Sequence, residues 1–303
     1  MPGKMVKTNN IDMWYETFGN SKDPAMLLMM GNSSDATLWP EDFCKGLARR
    51  GLYVIRFDQR DTGLSTWFNF KEKPYTLLDM AEDCVGLLDV LNISKAHIVG
   101  YSTGGMIAQL LTIHHPCRVS SLILLSTSMD LTIKNDAFAG KDMSKAILPP
   151  PEKWFVDAVL AVNANKAKDT HEKIVQLVEN FSLAHGKQAP FDRDYFYKLF
   201  EQSLKRIEGR VAVNAQIGHE SNHALATSAT RPVSLQELAN IAVPTCIIAG
   251  EQDPIFPVAH AKALASAIPH AHLLIIKNFG HIISPFFFEE IIKAIAEFIK
   301  SND

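Results

Sequence analysis

Short apolar runs alternate with amphipathic stretches along most of this chain. In the first half, the apolar runs are rich in branched side chains and have strand length, and the stretches between them repeat apolar positions with helical spacing. This alternation predicts βαβ units around a mostly parallel sheet. The predicted strands are residues 25–30, 52–58, 96–101 and 121–126, after a hairpin at 4–19, and the predicted helices are residues 39–50, 75–91 and 103–115.

The alternation stops over residues 130–239 and resumes after them. Helical patterns at 154–164, 171–183 and 195–207 occupy this stretch without a strand pattern between them. Two more strands follow, at 244–250 and 272–277, with helices at 257–267 and 285–300. We therefore predict a core domain of residues 1–129 and 240–303, and a helical cap domain of residues 130–239 inserted before the last two strands.

Composition and charge narrow the classes of partner. The chain has 303 residues, of which 47% are hydrophobic, and a net charge of -3, so it offers no basic surface for nucleic acid or anionic lipid. It has neither a membrane-spanning apolar run nor the pattern of a secretion signal at its start. We expect a cytoplasmic protein, a monomer or homodimer, that acts on a small molecule without a nucleic acid or membrane partner.

A candidate nucleophile stands where a predicted strand meets a predicted helix. The segment GYSTG at 100–104 places Ser102 on this junction. A nucleophile on such a sharp turn needs small neighbours, because the strand and helix backbones come close there. The sequence around Ser102 thus indicates nucleophilic catalysis by a serine.

A serine hydroxyl needs a base to take its proton, and the base needs an orienting acid. His281 lies in the loop after the strand at 272–277, where a loop can return over the sheet. Asp253 lies in the loop GEQDP after the strand at 244–250, and Glu251 is its nearest rival. We predict a triad of Ser102, His281 and Asp253, in the chain order Ser, Asp, His.

The oxyanion of the tetrahedral intermediate requires two hydrogen-bond donors. One candidate is the backbone N–H of Thr103, directly after the nucleophile. The second is the backbone N–H of Asn32, because the strand at 25–30 ends in a turn that contains glycine, Met30-Gly31-Asn32.

Taken together, the motifs GYSTGG, GEQDPIFP and FGH resemble those of the α/β-hydrolase fold family. The segment at 39–66, with the turn FDQRDTGLS, looks closest to the subgroup of bacterial anthracycline methyl esterases. The chain departs from the family in two places, since Asp61 replaces a usual glycine and Met30 a frequent histidine. The resemblance implies an α/β-hydrolase fold and hydrolysis of a carboxylic ester through an acyl-enzyme, with no cofactor and no metal.

Other functions remain open at this point. Cofactor-free haloperoxidases or perhydrolases and C–C bond hydrolases share the serine triad. The segment 219–223 matches H-E-x-x-H, a zinc-protease pattern in which His219 and His223 would bind the metal. That alternative lacks a visible third ligand, and a ligand receptor with this fold is a further possibility.

The predicted cap is rich in aromatic residues, which indicates an apolar pocket over the nucleophile. We expect Met30, Met129 and Trp154 to line this pocket, and we expect small esters with an apolar or aromatic group as substrates. Charged substrates should be poor, because nothing in this predicted lining would pair with their charges.

Overall fold

The computed structural model of the chain describes residues 3–210 and 219–302, without the side chains of residues 219 and 220. The strands of the described residues are β1 (Lys4–Thr8), β2 (Ile11–Phe18), β3 (Ala25–Met29), β4 (Tyr53–Phe57), β5 (Ala96–Tyr101), β6 (Val119–Leu125), β7 (Thr245–Gly250) and β8 (His272–Ile276). They form one sheet in the order β1-β2-β4-β3-β5-β6-β7-β8. β2 pairs antiparallel with β1 and β4, and the other pairs are parallel. The predicted mostly parallel sheet is confirmed.

The helices flank the sheet and fill the stretch between β6 and β7. They include α1 (Glu41–Ala48), α2 (Leu77–Val90), α3 (Thr103–His114), α4 (Thr132–Phe138), α5 (Lys153–Val162), α6 (Thr170–Ala184), α7 (Arg193–Arg206), α8 (His219–Ala229), α9 (Leu235–Ala239), α10 (Val258–Ala267) and α11 (Phe288–Lys300). The sequence patterns predicted α5, α6 and α7 but missed α4, α8 and α9. The boundaries of the cap domain stay a prediction.

Both faces of the sheet are covered, which explains the continuous apolar runs of its central strands. Residues of α2, α3 and α10 pack on one face, and residues of α1 and α11 pack on the other. In α11 the buried side chains are Ile291, Ile292, Ile295 and Ile299, so helical spacing gathers them into one apolar stripe. No helix among the described residues is long and apolar enough to cross a membrane.

Local signals fix where the helices begin. Thr76 caps α2 by accepting a hydrogen bond from the Asp79 backbone, and the Asp79 side chain accepts one in return from the Thr76 backbone. The parallel strands β3 to β8 end at the same edge of the sheet, so the loops that follow them meet there. Each side chain of the predicted triad follows one of these strands.

Candidate active site

Ser102 lies between β5 and α3 with φ +53° and ψ −120°, a strained conformation for a residue with a side chain. A Cβ on Gly100 would lie 2.4 Å from the carbonyl oxygen of Gly104, so the turn closes only because residue 100 has no side chain. Thr127 Oγ1 donates a hydrogen bond of 2.6 Å to the Ser102 carbonyl. The turn thus projects the hydroxyl of Ser102 beyond the strand.

His281 lies in the loop after β8, and hydrogen bonds to α6 and to Tyr101 hold the backbone of this loop. Its N–H donates to the carbonyl of Ala184 at 2.7 Å, and the preceding N–H of Gly280 donates to the carbonyl of His185 at 3.0 Å. Both acceptors belong to the C-terminal end of α6, where the last carbonyls have no hydrogen-bond partner within the helix. The loop after β8, which we call the histidine loop, provides their donors. The Tyr101 hydroxyl also donates to the carbonyl of His281 at 3.0 Å. Burial raises the pKa of Tyr101 well above its usual range, which keeps this hydroxyl a donor.

Asp253 holds the imidazole of His281 through a distance of 2.8 Å between Oδ2 and Nδ1. Its other oxygen, Oδ1, accepts hydrogen bonds from the backbone N–H groups of Ile255 at 2.8 Å and Phe256 at 2.9 Å. The carboxylate is buried and therefore has a fixed orientation. The rival Glu251 instead accepts a hydrogen bond from the backbone of Asn278 at 3.1 Å.

Asp253 and His281 therefore have the arrangement that a general base and its orienting acid need. A carboxylate at Nδ1 fixes the tautomer in which Nε2 can accept a proton. Nε2 of His281 has no hydrogen-bond partner among the described residues. Ser102 and His281 line the same cavity, and no direct hydrogen bond joins them among those residues. Such bonds often form only when substrate is present.

Of the two predicted oxyanion donors, Thr103 directly follows the nucleophile in the chain, and Asn32 lies in a loop that approaches it. A Cβ on Gly31 would lie 3.2 Å from the Cβ of Ser102, which shows how closely the loop after β3 approaches the turn. Among the residues described, the backbone N–H groups of Asn32 and Thr103 have no protein acceptor. Both groups are therefore available to an oxyanion.

The side chains of Gln59 and His223 hold this loop in place, a role that no sequence pattern indicates. Gln59 Nε2 donates to the carbonyl of Met30 at 2.7 Å. His223 Nδ1 accepts from the backbone N–H of Ser33 at 3.0 Å, and its Nε2 lies 2.7 Å from the carbonyl of Arg60. The loop thus has side-chain support although Met30 stands where the family often has a histidine. No local pattern in the sequence joins residues so far apart along the chain.

The same contacts bear on the zinc alternative. The side chains of His219 and Glu220 lie outside the described residues. Both ring nitrogens of His223 are within hydrogen-bond distance of backbone groups, so this ring has no nitrogen left for a metal. The described part of the chain contains no cluster of His, Cys, Asp or Glu side chains that could hold a metal ion.

A cavity of about 460 Å³ lies over Ser102 and His281, which is a size suited to a small-molecule ligand. Its apolar lining includes the cap residues Phe155, Val159, Leu177, Phe181, Phe200 and Ile207. Two cap lysines, Lys134 and Lys173, also line it. The expectation that the lining offers no partner for a charged substrate is therefore wrong.

Of the three residues expected to line the pocket, the structure places one there. Met30 lines the cavity. Met129 instead packs against the hydrophobic cluster of α2, α3 and α10, and Trp154 is exposed, with the Lys187 ammonium over its ring. Successive residues of a helix point about 100° apart, so Phe155 faces the cavity and its neighbour Trp154 does not. The assignments of Met129 and Trp154 are corrected accordingly.

Asp61, the departure from the family's turn, adopts the left-handed conformation that a glycine would favour, with φ +62°. Its carboxylate accepts hydrogen bonds from the backbone of Phe68 at 2.5 Å and from the Tyr75 hydroxyl at 2.6 Å. These two bonds anchor the turn that follows β4.

An ion cluster, which we call the cap clamp, joins α7 to the core. Arg206 lies 2.8 Å from Asp58 Oδ2 and 3.2 Å from Asp35 Oδ1, and Ser203 Oγ donates to Asp35 at 2.6 Å. Burial, with a smaller contribution from Asp35, raises the pKa of Asp58 to about 6. The clamp therefore contains a carboxylate that is costly to ionise.

The clamp predicts a pH dependence of stability. In the unfolded chain an aspartate has a pKa of about 3.9, so between about pH 4 and 6 the folded protein holds a proton on Asp58 that the unfolded chain has lost. The contribution of Asp58 to the free energy of unfolding should fall by up to about 3 kcal/mol as the pH rises through this window. Asp58→Asn should remove this part of the slope, as measured by urea unfolding at pH 4.5 to 7.

The control is Asp12→Asn, which removes the same charge from an exposed strand position and so separates net charge from burial. If the free energy of unfolding changed with pH in the same way in wild type and in Asp58→Asn, Asp58 would not titrate in this window.

Known proteins of one fold resemble this chain along most of its length. A model of the alpha/beta hydrolase fold matches residues 24–287. The rhodomycin D methylesterase DauP of Streptomyces sp. (strain C5) is 33% identical over 93% of this chain and 92% of its own. The rhodomycin D methylesterase DnrP of Streptomyces peucetius is 32% identical over the same shares. A solved structure of a meta-cleavage product hydrolase from Pseudomonas fluorescens IP01 has a TM-score of 0.73 at 18% identity, over 99% of this chain and 98% of that one.

Proposed function

Because the chain belongs to the α/β-hydrolase fold family, we propose that it is a serine hydrolase that cleaves a carboxylic ester of a small apolar or aromatic substrate. The observation that carries this proposal is the shared cavity of Ser102 and His281, with Asp253 bonded to the far side of the imidazole. The names of the relatives support an ester as the bond that is cleaved, since both methylesterases align along more than nine-tenths of this chain.

The reaction follows from the positions of the groups. Ser102 Oγ attacks the ester carbonyl while His281 Nε2 takes its proton, and the N–H groups of Asn32 and Thr103 stabilise the oxyanion. His281 then gives the proton to the departing alcohol, which leaves an acyl group on Ser102. A water molecule, deprotonated by His281, then attacks the acyl carbonyl. The bond between the acyl carbon and Ser102 Oγ breaks, His281 returns the proton to Oγ, and the acid is released.

C–C bond hydrolysis receives weaker support. The meta-cleavage product hydrolase resembles this chain at 18% identity, which concerns the fold alone. The zinc alternative is weakened, because both ring nitrogens of His223, one of its two histidines, lie within hydrogen-bond distance of backbone groups. The cytoplasmic location and the monomer or homodimer state stay predictions from the sequence.

The test is hydrolysis of p-nitrophenyl acetate, butyrate and hexanoate. Each methylene that enters the apolar cavity contributes about 0.8 kcal/mol, so KM should fall about fourfold per methylene and by up to about 200-fold from acetate to hexanoate. Phe155→Ala should weaken this preference, because it removes an aromatic wall of the cavity. Trp154→Ala, on the same helix but exposed, is the matched control and should keep it.

Thermal unfolding of both variants separates a loss of fold from a change of pocket. If acetate were preferred by all three proteins, the cavity would not hold the acyl chain, and a perhydrolase that acts on small acyl groups would become the better proposal.

A further inference from the structure

Lys134 differs in its surroundings from the exposed lysines of the cap, three of which form ion pairs. The exposed residues Lys141, Lys153 and Lys168 each have a carboxylate oxygen within 3.7 Å. Lys134, in contrast, has no hydrogen-bond or ion-pair partner among the described residues. It is partly buried and contributes to the lining of the cavity that contains Ser102.

The helix that carries Lys134 is fixed in place. Asn135 Nδ2 donates to the carbonyl of Ala224 and to Ser228 Oγ in α8, both at 3.3 Å. Asp130 Oδ1 accepts from the backbone N–H of Thr132 at 2.9 Å, at the start of α4. The position of residue 134 on the cavity wall is therefore determined by its neighbours on both sides.

An unpaired ammonium group in such a place is costly. Burial lowers the pKa of Lys134 to about 8, so the group is still charged at neutral pH although its surroundings disfavour the charge. A neutral apolar ligand would not relieve this cost, whereas an anionic oxygen would pair with the ammonium. Lys173, the other lysine of the lining, already has a partner.

We propose that Lys134 forms an anion subsite of the cavity, so that the favoured ester carries a carboxylate or an equally acidic hydroxyl in addition to the bond that is cleaved. This inference rests on the proposed ester hydrolysis and specifies its substrate class. Lys134 in this role determines specificity and takes no part in bond cleavage.

The experiment compares matched charged and neutral esters. Mono-4-nitrophenyl glutarate against 4-nitrophenyl pentanoate tests a carboxylate on the acyl side, and 3-carboxyphenyl pentanoate against phenyl pentanoate tests one on the alcohol side. We expect at least one charged ester to match or exceed its neutral partner in kcat/KM. Lys134→Met should lower that charged-to-neutral ratio about tenfold or more, mainly through KM, and Lys134→Arg should preserve most of it.

Lys141→Met is the matched control, since it removes an exposed cap lysine that is paired with Asp136, and it should leave the ratio unchanged. Lys134→Gln serves as a second variant if Lys134→Met unfolds. A ratio that is the same in wild type and in the folded Lys134 variant would overturn the inference, as would failure of both charged esters while the neutral ones are cleaved. If neither the charged nor the neutral esters are cleaved, the proposed ester hydrolysis is wrong, and the anion subsite, which depends on it, is wrong as well.

Discussion

Replacing Ser102 with alanine should abolish labelling by a fluorophosphonate probe and lower kcat for ester hydrolysis by about 10⁴-fold or more. The probe reacts with a serine whose proton a neighbouring base can take, and the turn between β5 and α3 places the hydroxyl of Ser102 in the same cavity as His281. The substitution should leave the fold intact, because the Ser102 side chain makes no capping hydrogen bond to α3. Labelling is read by mass spectrometry of the modified peptide.

Ser144→Ala, which changes an exposed serine away from the cavity, is the control and should retain labelling and turnover. Modification of a serine other than Ser102, or full activity in Ser102→Ala, would end the proposal of a serine nucleophile at this position.

Asp253→Asn should lower kcat by about 10⁴-fold with little change in fold. Oδ1 of Asp253 accepts two backbone N–H groups, so an asparagine must keep its oxygen on that side and turn its NH₂ toward His281. The Nδ1 atom then has to accept a hydrogen bond, which moves the ring proton to Nε2. An imidazole in that tautomer cannot take the proton of Ser102. Steady-state kinetics and circular dichroism of the variant test both parts of this expectation.

Glu251→Gln is the informative comparison, because Glu251 is the rival acid of the same loop and its amide analogue can still accept from the Asn278 backbone. If Glu251→Gln lowered kcat more than Asp253→Asn does, Glu251 would be the residue that orients His281.

Local patterns predicted much of the fold from the sequence. The strands were visible because parallel strands buried on both faces need continuous apolar runs. The proposed triad rests on a related rule, because each of its three residues follows a strand at one edge of the sheet. The short helices α4 and α9 were missed, since helices of seven and five residues are stabilised by tertiary packing more than by their own pattern.

The residues missed at the site share a different cause. His223 supports the loop of Asn32 across 190 positions of the chain, and no periodicity records such a distance. Lys134 looks like any surface lysine until the position of α4 is known. Trp154 and Phe155 are both large and aromatic, and only the helical phase decides which of the two lines the cavity.

The acceptors that hold the histidine loop are main-chain carbonyls of residues 184 and 185, so their role does not depend on which side chains stand there. The cap can therefore diverge by substitution among descendants of this sequence without displacing His281. A one-residue insertion or deletion inside α6 is different, because it would rotate the last turn by about 100° and move it about 1.5 Å along its axis. Both acceptors would then be withdrawn from the loop. We expect evolutionary change in α6 to occur by replacement at constant length, and a chimera with a foreign cap to require that length to be kept.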